Sequence, residues 1–195
     1  DIQLLATFDD DAREIANGAL FVRDGVIAAV GALDDMPDET PDETLSLKQH
    51  VVLPGLVNTH HHMFQNLTRV MAQQNELFGW LTTLYPVWGG ITGEMIYTSA
   101  QVAMAELILS GCTTSSDHLY LYVNDIRIDD EIRAAQEIGL RFHPTRGSMS
   151  VGQSQGGLPP DSVVEDEKRI LRETQRAIET FHDNTRYSML RIGIA

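Results

Sequence analysis

Basic residues are scarce in this chain: 14 Lys and Arg stand against 28 Asp and Glu over 195 residues, a formal charge of −14. So acidic a surface repels phosphate backbones, so a nucleic-acid polymer is not expected as a partner, although a single small heterocycle remains open as a ligand. Cysteine is nearly absent. Cys112 alone excludes an internal disulfide and fits a reducing, cytoplasmic compartment. No apolar run reaches the about 18 residues of a membrane span, and no charged-then-apolar leader is visible, so no membrane partner is expected. Glycine-rich phosphate loops are missing too: no Gly-x-Gly-x-x-Gly or Gly-Lys-Ser/Thr follows an apolar run, which leaves a nucleotide-binding open sheet without support. What the chain has is core material, with 43% hydrophobic residues.

The most informative stretch is residues 51–69, VVLPGLVNTHHHMFQNLTR. A β-branched run meets the Pro54-Gly55 break, and a short strand through Leu56-Val57 is expected to end in Thr59-His60-His61-His62. Side chains alternate along a strand, so His60 and His62 share one face and His61 takes the other. Two imidazoles at i and i+2 can bind one metal ion. Three adjacent histidines can also be a purification tag or a chance polar cluster, but this run is internal and follows a strand.

Residues 1–53 read as a small β module, with Asp24-Gly25 between apolar runs predicting a type I′ hairpin. Residues 34–43 hold six carboxylates and two prolines, a solvated connector. After Gly55, strands and helices alternate. Thr92 is expected to cap a helix to about Ser110, with Gly111 past its end; CTTSSD reads as a strand; Asp129 is expected to cap a second helix closed by Gly139; Leu140–Thr145 is a strand; a third helix begins near Pro160-Asp161; and 189–195 is a strand. This βαβαβαβ order gives an α/β fold with a parallel sheet, four strands where a closed barrel of this kind has about eight. Because the sequence stops on an apolar strand, the chain is expected to be the N-terminal part of a longer polypeptide.

Active sites of parallel barrels lie at the C-terminal ends of the strands. Those ends carry His60 and His62, Asp117 and His118, and Thr145 and Arg146. His118 is a candidate substrate contact, with structural hydrogen bonding as the alternative; Arg146 can equally pair with a nearby acid. Residues 146–160, with four glycines, read either as a flap over the site or as a connector. His50, His143 and His182 are read as structural or surface residues, and Cys112 opens its strand away from the site.

PGLVNTHHH resembles the first-strand signature of the amidohydrolase superfamily. ELFGWLTTLYPVW, GCTTSSDHLYL and RFHPTRGSMSVGQSQGGLPPDSVVE narrow the resemblance to the branch of guanine deaminases and s-triazine hydrolases, and within it to the 8-oxoguanine deaminases. The resemblance implies the N-terminal half of a (β/α)8 barrel over 54–195, preceded by strands (1–53) of a small composite β-sandwich. It implies that His60 and His62 bind one divalent metal, zinc or alternatively iron. It further implies that Gln65, three residues after His62, and the Trp80-Leu81 pair contact a purine. A glutamine amide offers donor and acceptor to a purine edge, and an indole offers a flat apolar face, while a helix-start role for Gln65 and core packing for Trp80 remain alternatives. The reaction implied is hydrolytic deamination, 8-oxoguanine to urate and ammonia, in a zinc-dependent enzyme whose acid/base and remaining ligands are expected beyond Ala195. The other zinc deaminase design, His-x-Glu with Pro-Cys-x-x-Cys, is excluded by the single cysteine. A guanine or s-triazine aminohydrolase and a catalytically inactive barrel serving as a binding protein are the rival readings. The oligomeric state is left open, a homo-oligomer included.

Overall fold

Asp24 and Gly25 both take positive φ, 50° and 74°, and the strands they join, β2 (Glu14–Arg23) and β3 (Val26–Ala32), pair antiparallel as the turn chemistry requires. The computed structural model describes residues 1–195, which divide into two units, Asp1–Gly55 and Leu56–Ala195. In the first, β1 (Ile2–Ala6) pairs antiparallel with β2 and parallel with β4 (Leu47–Val52), giving the order β3-β2-β1-β4. Its buried apolar residues are few, Ile2, Leu5 and Ala19, while Val22, Ile27 and Val51 stay exposed.

The second unit is a parallel sheet in the order β5-β6-β7-β8, built from Leu56–Asn58, Cys112–Leu119, Arg141–Arg146 and Gly193–Ile194. Helices α1 (Leu77–Trp88), α2 (Gly93–Leu109), α3 (Ile128–Ile138) and α4 (Glu167–Phe181) alternate with the strands, which is the layout of half a (β/α)8 barrel. Along β6, Ser115, Asp117 and Leu119 are buried while Thr114, Ser116 and His118 are part-exposed; along β7, Phe142 and Arg146 are buried while His143 is exposed. The period of two thus separates a helix-facing side from a side open to the barrel lumen. Phe142 packs with Met63, Ala100, Met104 and Ala135 on the helix side, and Phe64, Leu84, Trp88, Leu119 and Ile132 form a second cluster. No helix is long and apolar enough to cross a membrane.

Several boundaries differ from the sequence reading. The first barrel strand, β5, stops at Asn58, so the histidines lie beyond it. Asp129 does not cap α3: the N-cap is Arg127, whose N–H donates to Asp130 Oδ2 (2.9 Å), and Asp129 instead binds Arg176 of α4. A 3₁₀ turn occupies Asp161–Val163, and α4 starts only after Asp166, whose carboxylate accepts from Arg169 N (3.1 Å). Helix α1 was not anticipated, because Gly79, Thr82, Thr83 and Pro86 all disfavour helix. Pro86 leaves the carbonyl four residues back without its N–H, and the Thr82 and Thr83 hydroxyls donate to carbonyls of Phe78 and Gly79 inside the helix. The 146–160 segment is folded on itself: Gln153 N donates to Pro159 O, Gly157 N to Gly152 O, and Ser154 to Asp161 Oδ1.

Candidate functional site

Asn58 sets the geometry of the histidine run. Its Oδ1 accepts from His60 N (2.9 Å), a local side-chain turn that takes the chain out of the strand. The carbonyl of His61 then accepts from His118 N (3.0 Å), tying the segment to the end of β6. The His60 and His62 ring centroids are 5.4 Å apart and the planes lie at 89°. The His61 Nδ1 lies 3.9 Å from Asp117 Oδ1, and His61 lines the same cavity as its two neighbours. Burial, followed by the charges of His62 and Arg69, holds the His61 pKa below its usual value.

His62 Nδ1 donates to His118 O (2.8 Å), so its lone pair lies on Nε2, which is the arrangement of a metal-ligating imidazole. Two imidazoles bonded tetrahedrally to one zinc at 2.0–2.1 Å put their ring centroids about 5 Å apart, close to the spacing found. The pair therefore fits a divalent metal. It would supply two ligands, and no group of three or more His, Cys, Asp or Glu able to hold a metal is present in the chain.

A cavity of about 440 Å³ opens beside the pair, lined among others by Gln65, Asn66, Arg69 and Trp80. Gln65 lies on a 3₁₀ segment, Met63–Thr68, that is anchored at both ends: Ser99 Oγ donates to Met63 O (2.6 Å) and Trp88 Nε1 donates to Thr68 Oγ1 (3.0 Å). The Gln65 amide donates to the Tyr120 hydroxyl (3.0 Å). Trp80 lies edge-on to Trp88 at 5.2 Å and reaches the cavity, so it both packs and lines. Leu81 packs against the core cluster and is not among the lining residues.

His118 stands on the lumen side, its ring 5.4 Å from that of His62, and burial followed by the His62 and His60 charges lowers its pKa. Gly147 passes directly against it: a Cβ there would meet His118 Nε2 at 2.2 Å, so only glycine allows the approach. Tyr120, not singled out from sequence, packs on His62, His118 and Phe64, with its hydroxyl pKa raised by burial. Its position two residues after His118 was the available signal, since a period of two returns it to the same face.

Arg146 faces the other way. It is buried on the helix side, over the Tyr122 ring (3.8 Å) and 2.8 Å from Glu165. Asp117 likewise points into the helix layer, where Met63 N donates to it (2.6 Å).

The sequence profile of the Amidohydrolase family matches residues 51–191. The chain belongs to the amidohydrolase family. This amidohydrolase chain is 42% identical over 195 residues to an 8-oxoguanine deaminase of Pseudomonas aeruginosa, covering 98% of this chain and 43% of that protein. It is 35% identical over 203 residues to a hydroxydechloroatrazine ethylaminohydrolase of a Pseudomonas species, with coverages of 95% and 42%. Its structure superposes on atrazine chlorohydrolase TrzN from Arthrobacter aurescens TC1 complexed with zinc with a TM-score of 0.91 at 29% identity, over 99% of this chain and 45% of that one. The amidohydrolase chain thus spans less than half the length of these relatives.

Proposed function

We propose that the full-length protein carrying this chain is a metal-dependent hydrolytic deaminase of a purine base, taking 8-oxoguanine and water to urate and ammonia. One observation carries the reading: two imidazoles at metal-sharing distance open onto the same cavity as Gln65 and Trp80. The 42% identity to an 8-oxoguanine deaminase supports the choice of substrate. His60 and His62 would hold the metal, His62 through Nε2, since its Nδ1 donates to His118 O. A bound zinc supplies a Lewis acid that brings the pKa of water down to about 7. Trp80 covers the ring and excludes water from it, and the Gln65 amide, steadied by Tyr120, meets a polar edge of the base. His118, whose ring lies 5.4 Å from that of His62, is read as a further contact of the substrate, although it is not among the residues that line the cavity.

The 35% identity to a triazine aminohydrolase favours a second reading, with a hydroxytriazine in the same cavity. Ammonia or amine release on 8-oxoguanine, guanine and a hydroxytriazine, with zinc-loaded full-length protein, ranks the two. The expected order puts kcat/KM for 8-oxoguanine first. Turnover of none of them would leave the protein a binding barrel and end the proposal.

Gln65 and Trp80 carry a kinetic prediction. Gln65→Ala leaves a buried polar edge without its partner, at about 1–3 kcal/mol or roughly 5- to 150-fold in kcat/KM for 8-oxoguanine, with metal content unchanged. Trp80→Ala raises KM, and any fall in kcat reports misorientation of the ring. Unchanged kcat/KM in both variants, at matched zinc content and melting temperature, would reduce the two residues to packing.

A further inference from the structure

Two buried carboxyl groups sit behind the histidine segment and have no part in the chemistry above. Asp117, on the helix side of β6, is 1% exposed, and Glu131, on the first turn of α3, is 0% exposed. They face one another: Asp117 Oδ2 and both Glu131 oxygens lack any N–H or O–H donor besides each other. The remaining oxygen, Asp117 Oδ1, accepts from Met63 N at 2.6 Å.

Two carboxylates cannot both stay ionised in such a place, so one proton is shared between them. Burial pushes Asp117 up to about 7 and Glu131 well above its usual range, the Asp117 charge adding to the effect on Glu131. The Met63 N–H favours the ionised form of Asp117, and nothing comparable faces Glu131. Glu131 is therefore the carboxylic acid and donates its O–H to Asp117 Oδ2, leaving Oδ1 a charged acceptor for the peptide N–H.

That peptide N–H matters because it belongs to the plane joining His62 to Met63. His62, with φ −134° and ψ 81°, is the residue from which the 3₁₀ segment Met63–Thr68 starts. The bond from Met63 N to Asp117 fixes ψ of His62, and Ser99 fixes the next peptide by donating to Met63 O. The His62 ring is held in turn by its own bond from Nδ1 to His118 O (2.8 Å).

We propose that Glu131 is a positioning residue for the metal pair: its O–H orients Asp117, Asp117 holds the Met63 N–H, and that bond fixes the backbone from which the His62 side chain projects. This rests on the reading of His62 as a metal ligand. It extends the supporting network of the site from the ligand's own hydrogen bond into the helix layer.

The test is zinc affinity of the full-length protein, by competition with a chromogenic chelator, in wild type, Glu131→Gln, Glu131→Met and Asp117→Asn. Glutamine still donates to Asp117, and asparagine can accept from Met63 N while donating to Glu131, so both are expected to retain zinc affinity. Methionine fills the same volume without a donor, and zinc binding is expected to weaken about 10- to 100-fold. Packing alone predicts the opposite, because exchanging a buried polar group for an apolar one of equal size leaves packing intact. Wild-type zinc affinity in Glu131→Met, or equal loss in Glu131→Gln and Glu131→Met, would overturn the inference. Failure of wild type to bind zinc would instead remove the proposed function beneath it. Should Glu131→Met not fold, infrared spectroscopy decides: a carbonyl band of a buried carboxylic acid at pH 7, present in wild type and lost in Glu131→Gln, is expected. A wild-type spectrum without that band would refute the shared proton and the inference with it.

Discussion

Replacing His60 and His62 together by alanine is expected to strip the full-length protein of metal and of deaminase activity at once, while His61→Ala keeps the metal. The contrast follows from geometry: the His60 and His62 rings lie 5.4 Å apart, whereas the His61 Nδ1 lies 3.9 Å from the Asp117 carboxylate. The loss of affinity should exceed the roughly 10- to 100-fold that removing a supporting hydrogen bond costs, since the bonds to the metal themselves are gone. Metal analysis after dialysis, with circular dichroism to establish folding, reads the outcome. A folded double variant at full metal occupancy would show that the pair is an accident of a turn.

The second large effect is on stability. Arg146 and Glu165 form a buried ion pair, with side chains 2% and 3% exposed and 2.8 Å apart. Burial holds the Glu165 carboxyl above its usual pKa range, with the Arg146 guanidinium pulling it back. Glu165→Ala leaves the arginine charged, buried and without its carboxylate, and breaking such a pair costs about 3–5 kcal/mol. Glu165→Gln keeps one acceptor and should cost less. Chemical denaturation of the full-length protein measures both, and zinc content of the surviving folded fraction should be unchanged, because the pair lies on the helix side of β7. A Glu165→Ala variant within 1 kcal/mol of wild type would mean that solvent reaches Arg146 readily.

The alternation of strands and helices after Gly55 was legible because each break had its own chemistry. Thr92 accepts from Met95 N, and Gly111 and Gly139 take φ of 88° and 81° where α2 and α3 end. Where caps competed, the sequence misled: Asp129 looked like a cap but is drawn to Arg176, a contact 47 residues away that local patterning does not encode. Helix α1 was hidden by Pro86 and its threonines, whose helix cost is offset by burial of Leu84, Tyr85 and Trp88.

The site was partly legible for a related reason. The spacing of His60 and His62 can be read from the chain, although the run is shaped by the Asn58 turn and the His118 backbone, not by a continuing strand. Asp117 and His118 are adjacent at a strand end, and sequence alone gave both the same address. The pleat sends His118 to the lumen and Asp117 to Glu131, a partner on another element. The resemblance paired Leu81 with Trp80; both pack against the same core cluster, and Trp80 also lines the cavity.

Removal and return of zinc tests the central claim most directly. Full-length protein is stripped with a chelator, zinc is added back in fractions of an equivalent, and urate formed from 8-oxoguanine is followed by its absorbance. The expected result is no urate from the stripped protein, recovery in proportion to added zinc, and saturation at one equivalent per chain. Undiminished urate formation by metal-free protein, or none at full zinc occupancy, would contradict it.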